Sequence, residues 1–211
     1  MGKVGSSSVV ASLHALPQKW QIHHVHTLTP QGIAAAEAIY ARIAQETGRS
    51  THARAHHLQS SRYLAPRIHH PAPSADRRWK IVTLVREPVA RNVSSFFQTI
   101  DYYLPNFVAC YAAGELDINQ VTTTFLERFD HDQVLTWFDT EARPALGINV
   151  FGEPFDQTSG YHIYHGAHCD LLLLKLETLD ATVQRAFHDF LGIDNFTLVK
   201  SNVAEDKEYA E

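Results

Sequence analysis

Apolar positions along the chain follow two spacings, and each change of spacing marks a new element. Between Ser6 and Leu16, Val9, Val10, Leu13 and Leu16 recur at helical intervals, and Pro17 stops the run. Trp20 to Leu28 (WQIHHVHTL) is rich in β-branched and aromatic residues, offers Ile22 and Val25 to a core, and reads as a short strand. Thr29 is then an N-cap and Pro30 a first helical residue. The helix carries Ile33, Ala36, Tyr40 and Ile43 on one face, and Gly48 ends it. Residues 49–78 mix His, Arg, Ser and Pro around Leu58, Tyr63 and Leu64, which predicts loops and short helix. Trp79 to Val85 (WKIVTLV) is a compact apolar run of strand length, and a helix is expected from about Val89 to Thr99.

The second half repeats the alternation. Ile118–Phe129 and the run from His131 to Leu146, with Val134, Leu135 and Phe138 apolar, are helix candidates. The stretch GYHIYHGAHCDLLLLKLETL reads as a hairpin feeding a second buried strand, Asp170 to Leu176. Asp180 caps a following helix that Gly192 closes, and the tail NVAEDKEYAE is polar. Helices alternating with strands that are apolar on both faces predict an α/β fold with a mainly parallel sheet and helices on both sides. The length suits a single domain over residues 1–211.

Composition narrows the chemistry. A 45% hydrophobic content supports a packed core, and a net charge of −5 argues against a general nucleic-acid footprint. Any polyanion must then be met by local cations. Two cysteines, Cys110 and Cys169, lie far apart, which speaks against a disulfide scaffold and for a reducing compartment. No apolar run approaches ~18 residues, so no membrane-spanning helix is expected. Fourteen histidines include three adjacent pairs, but no H-E-x-x-H or C-x-x-C accompanies them, and no metal site is expected.

The opening Met1–Val10 (MGKVGSSSVV) is a glycine- and serine-rich loop running into a helix. A helix N-terminus presents unpaired N–H groups and the positive end of its dipole, which makes an anion site. Gly5 permits close backbone approach, Ser6, Ser7 and Ser8 add hydroxyls, and Lys3 adds charge. The spacing is not G-x-x-x-x-G-K-[ST], because the lysine precedes the second glycine. That disfavours a triphosphate kinase or ATPase. Arg86, at the carboxyl end of the apolar strand Trp79–Val85, and Ser94, eight residues on, sit where ligands bind in open α/β sheets. A guanidinium there can fork onto a phosphate, or pair with Glu87 instead.

GKVGSSS followed by VREPVARNVSSFF resembles the nucleotide-binding pair of the sulfotransferases that use 3′-phosphoadenosine 5′-phosphosulfate (PAPS). The closest likeness is to bacterial capsular polysaccharide synthesis proteins. LLLLKLETLDATVQRAFHDFLGI is similar to that superfamily's later strand and helix, and the polar tail to its nucleotide-closing segment. The resemblance implies a P-loop-type three-layer fold. It implies that Lys3, Val4, Gly5, Ser6, Ser7 and Ser8 hold the 5′-phosphosulfate, Arg86 and Ser94 the 3′-phosphate, and that Lys207 closes over the nucleotide. PAPS would be the donor, no metal would be needed, and Lys3 would stabilise the leaving oxygen. The acceptor would be a hydroxyl, of a carbohydrate or polysaccharide, in the bacterial cytoplasm. In that superfamily a central strand precedes the loop, so the chain is expected to be clipped at both ends.

A general base must take the acceptor's proton, and histidine titrates in the right range. His57, in the AHHL excursion, ranks ahead of His26, near the end of IHHVHTL; Glu37 and Glu177 are outsiders, and His23 and His24 read as polar strand residues. Aromatic residues of segments 49–78 and 100–165 (Tyr63, Trp79, Tyr102, Tyr103, Trp137, Tyr161 and Tyr164) could wall the acceptor, although most such rings belong to cores. The rival readings are a P-loop kinase or NTPase and a non-catalytic nucleotide-fold protein of polysaccharide assembly.

Overall fold

The computed structural model describes residues 2–47, 52–69 and 78–199. The predicted first helix forms as Ser6–His14 (α1), and the second as Pro30–Thr47 (α2), with the Thr29 hydroxyl accepting from the Gly32 N–H. Next come His52–His69 (α3) and the strand Trp79–Val85 (β1). Helices Pro88–Gln98 (α4), Phe107–Ala112 (α5), Ile118–Arg128 (α6) and Gln133–Trp137 (α7) follow, then a π-helical turn over Phe138–Ala142 and Arg143–Leu146 (α8). Tyr161–His165 (β2), Cys169–Lys175 (β3) and Leu179–Leu191 (α9) complete the elements.

The strand order is β1-β3-β2. β1 runs parallel to β3, with Trp79 opposite Cys169 and Val85 opposite Lys175; β2 returns antiparallel, with Tyr161 opposite Leu174. The sheet is therefore mixed among the described residues, where a mainly parallel one was expected. Only Gly166, Ala167 and His168 link β2 to β3, and so short a link permits only an antiparallel return. Leu171 and Leu173 alternate with Leu172 and Leu174, and all four are buried, so β3 is covered on both faces. Each such leucine contributes roughly 1.5–3 kcal/mol. α9 closes one side through Val183, Ala186, Phe187 and Phe190, and Phe187 stacks on Phe196 with ring centroids 3.9 Å apart. A second cluster of Phe96, Ile100, Phe107 and Val121 ties α4 to α5 and α6.

Three sequence expectations are corrected. Residues 20–28 form no strand. Ile22, Val25 and Leu28 do pack on the core, but at intervals of three, which two-residue alternation cannot place on one face of a strand. Residues 52–69 form one long helix, where loops and short helix were expected. Leu58, Ser61, Leu64, Ala65 and Ile68 make its buried stripe, hidden in the sequence by a buried serine and by Pro66. The run after His131 is split by the π-helical turn, which directs Glu141 inward.

β1 has β3 on one side and no strand on the other among the described residues. Along that open edge lies a cavity of about 800 Å³, lined by Ile81 and Val82 of β1, Leu13 of α1, and Ile22, Val25 and Leu28. At the far end of the sheet, buried Asp170 receives Arg78 at 2.7 Å, Lys80 at 2.9 Å and His165 at 2.9 Å. Hydrogen bonding from Arg78 above all holds this carboxyl well below the usual range.

Candidate functional site

The loop 2–5 is shaped by two reversals. Lys3 has φ of 65° and Gly5 φ of 81°, both in the left-handed region that a lysine adopts only under constraint. Val4 between them is buried, so its side chain anchors the loop in the core. A Cβ at position 5 would meet Leu176 Cδ1 at 2.7 Å, a further reason for glycine. α1 begins immediately, with no side chain capping its first N–H groups. Ser7 is exposed there, and Ser6 and Ser8 are half-buried.

Arg86 leaves the carboxyl end of β1 and reaches the Lys3 carbonyl at 3.5 Å. It is not paired with Glu87. The Glu87 carboxylate caps α4 instead, accepting from the Ala90 and Val89 N–H groups, which lower its pKa. Arg91, one turn into α4, donates to the Gly2 carbonyl at 3.3 Å. The two arginines thus hold successive carbonyls of the loop. Ser94 is half-buried on the next turn of α4 and makes no hydrogen bond with Arg86 among the described residues. Lys207 lies outside the described residues.

The histidines gather on the other side of α1's start. Ser6 Oγ is 3.0 Å from His24 Nε2. The rings of His24, His26 and His57 form a triangle with centroid separations of 5.1, 4.8 and 4.6 Å. His57 Nδ1 lies 2.9 Å from the His24 carbonyl oxygen. A carbonyl only accepts, so Nδ1 carries the proton, and in the neutral ring the lone pair falls on Nε2. Burial, with the nearby His57, lowers the His24 pKa to about 4, so its ring is neutral near pH 7. No three metal-ligating side chains among the described residues are arranged to hold an ion.

Both ranked histidines therefore meet, although they come from a helix and an irregular segment that were expected to be loop and strand. His24, read from the sequence as a polar strand residue, is bonded to Ser6 at the end of the loop. Its signal was the i, i+2 relation to His26, which only a correct backbone assignment could have turned into a contact. From the sequence alone, Arg91 could either add charge to the site or be solvated on its helix. α4 in fact turns Val89 (64% exposed) and Val93 (37%) outward and Arg91 (4%) and Asn92 (5%) inward, the reverse of ordinary partition. Glu37 is spent on Arg62, and Glu177 accepts from the Glu87 N–H.

Of the expected acceptor walls, Trp79 and Trp137 line the cavity beside β1, while Tyr161 and Tyr164 belong to the main core and Tyr103 packs on the second cluster. Ser6, His24 and His26 also border that cavity, so it opens onto the histidine side of the loop. Among the described residues no helix is long and apolar enough to cross a membrane. A search of curated proteins and a search of solved structures each returned no match. Residues 114–211, a little under half of the chain, match the family model described as "Putative capsular polysaccharide synthesis protein".

Proposed function

We propose that the chain is a sulfotransferase that moves a sulfuryl group from PAPS to a hydroxyl of a carbohydrate. The observation that carries this reading is one chain of contacts: the anion loop through Ser6 to His24, and the His24 carbonyl to His57. A site for a transferring oxyanion and a base with its lone pair fixed lie side by side. The match of residues 114–211 to a polysaccharide synthesis family favours a sugar acceptor.

In this reading the open first turn of α1 and the loop N–H groups bind the 5′-phosphosulfate. Lys3 adds charge where the phosphate oxygen departs, and Arg86 and Ser94 serve the 3′-phosphate. The acceptor oxygen attacks sulfur in line and gives its proton to His57 Nε2. The new O–S bond forms as the bond from sulfur to the phosphate oxygen breaks, and adenosine 3′,5′-bisphosphate leaves. Charge spread over the transferring group makes prearranged donors the main source of rate. His26, 4.6 Å from His57 between ring centroids, stands as the alternative base.

Transfer of radiolabelled sulfate from PAPS to a panel of capsular glycans tests the activity. His57→Gln is expected to lower turnover by ~10²–10⁴ with the donor affinity unchanged. An unaltered rate moves the role to His26. Calorimetry that shows no affinity for adenosine 3′,5′-bisphosphate but uptake of ATP with Mg²⁺ overturns the reading in favour of a kinase or NTPase.

A further inference from the structure

Arg91 is the most deeply buried cation described, with 4% of its surface exposed. Its guanidinium donates to three neutral acceptors: the Gly2 carbonyl at 3.3 Å, Asn92 Oδ1 at 3.0 Å and Gln133 Oε1 at 2.9 Å. Neither Arg91 nor Arg86 is ion-paired among the described residues, whereas Arg62, Arg78, Arg143 and Arg185 each have a carboxylate. Burial pulls the Arg91 pKa down, and the more distant Asp130 only opposes this. A buried charge with no counter-ion is expensive, and a fold that needed only volume here would be better served by an apolar side chain. α4 buries Arg91 as well as Phe96 while Val89 and Val93 face outward, so the guanidinium occupies a place on the helix's inner face.

The placement has a geometric effect. In a trans peptide the N–H points opposite to the C=O. Holding the Gly2 carbonyl from Arg91 and the Lys3 carbonyl from Arg86 turns the Lys3 and Val4 N–H groups away from both arginines. It also helps to maintain the left-handed conformation of Lys3. Successive N–H groups presented around such a reversal form an anion-binding concavity. We propose that Arg91 is a positioning residue of this site, which pins the Gly2 carbonyl from behind and leaves an uncompensated charge that a phosphate or phosphosulfate in the loop completes. Gln133 and Asn92, the latter donating to the His131 carbonyl, fix the guanidinium to α7 and the turn before it. The clamp thereby joins the loop to the region matched by the family model.

This rests on the anion-loop reading above, and the experiment separates the two. Wild type, Arg91→Met and Arg91→Lys are titrated with adenosine 3′,5′-bisphosphate and with pyrophosphate, and their ligand-free thermal midpoints are measured. Arg91→Met is expected to raise Kd for either probe by roughly 10–100-fold. Its ligand-free midpoint should change little, because loss of the unpaired buried charge offsets loss of the donor to Gly2, Asn92 and Gln133. Arg91→Lys, which keeps the charge with a different donor geometry, should fall between. A structural role alone predicts the opposite pair of results, a lower midpoint with unchanged Kd, and that overturns the inference. So does failure of both variants to fold, or a wild type that binds neither probe. Pyrophosphate binding that depends on Arg91, without binding of the nucleotide, upholds the inference and removes the sulfotransferase assignment. Nucleotide binding indifferent to Arg91 does the reverse.

Discussion

Two helix starts in this molecule have the same orphan N–H groups and opposite solutions. At the start of α2, Glu141 from the π-helical turn reaches in and accepts from Leu28 N–H at 2.8 Å, Thr29 N–H at 3.1 Å and the Thr29 hydroxyl at 2.7 Å. Gly32 leaves room for it: a Cβ there would collide with Glu141 Oε1 and Thr27 Oγ1. At the start of α1 the N-cap Gly5 offers no side-chain cap, and among the described residues the loop brings a left-handed glycine, three serines and two arginines behind it. A helix N-terminus attracts negative charge in either case. The chain supplies that charge itself at α2; in the function proposed above, a bound anion supplies it at α1.

The comparison breaks most visibly at α2. Glu141→Ala strands several buried donors, and a loss of about 3–5 kcal/mol is expected in denaturant unfolding, as for one partner removed from a buried pair. A loss under about 1 kcal/mol would show that water replaces the carboxylate and that the plug is incidental. The reverse experiment fills the empty start. Ser7→Asp puts a carboxylate in the first turn of α1, where it should add about 0.3–1 kcal/mol of stability while weakening bisphosphate binding roughly tenfold by occupying the same positive end. Stability gained without loss of affinity would place the anion elsewhere. The smallest effect concerns His24, beside the open start. Its folded pKa, about 4, lies below the ordinary 6.5, so the unfolded chain takes up the proton first. The contribution is whole above pH 6.5 and declines as the pH falls toward 4. His24→Gln should flatten that part of the stability profile, and because the ring is only half-buried the change is modest. A profile identical to wild type would mean that the ring is solvated.

The sequence was most legible where one spacing ruled an entire element. WKIVTLV forms β1 over the predicted residues, and α1, α2, α6 and α9 follow their apolar stripes. It failed where side-chain chemistry and backbone period disagreed. WQIHHVHTL has strand composition but a three-residue burial interval, and α3 buries Ser61, which no hydrophobic template counts. The loop residues Lys3 to Ser8 could be picked out because glycine, serine and lysine before a helix carry a local electrostatic meaning. Arg91 and His24 could not. Their importance comes from contacts with Gly2, Gln133 and Ser6, and distance in sequence hides such contacts until the fold closes them. The antiparallel β2 was half visible: the hairpin was expected, but its consequence for the strand order was not.

The parallel pairing of β1 with β3 also sets a clock. Lys80 and Asp170, bonded across that pair, are 90 residues apart in sequence. During synthesis β1 emerges long before its partner, and at ordinary elongation rates the interval is roughly 5–20 s. Throughout that time the edge of β1 that β3 will cover has no partner strand. Loop closure over so great a separation is slow in any case. The anion loop, held by Arg86 at the end of β1 and by Arg91 through Gln133, takes its final shape only after these distant segments meet. A loop made before β1 therefore waits for segments made well after it, and cooler, slower expression should favour recovery of the folded chain.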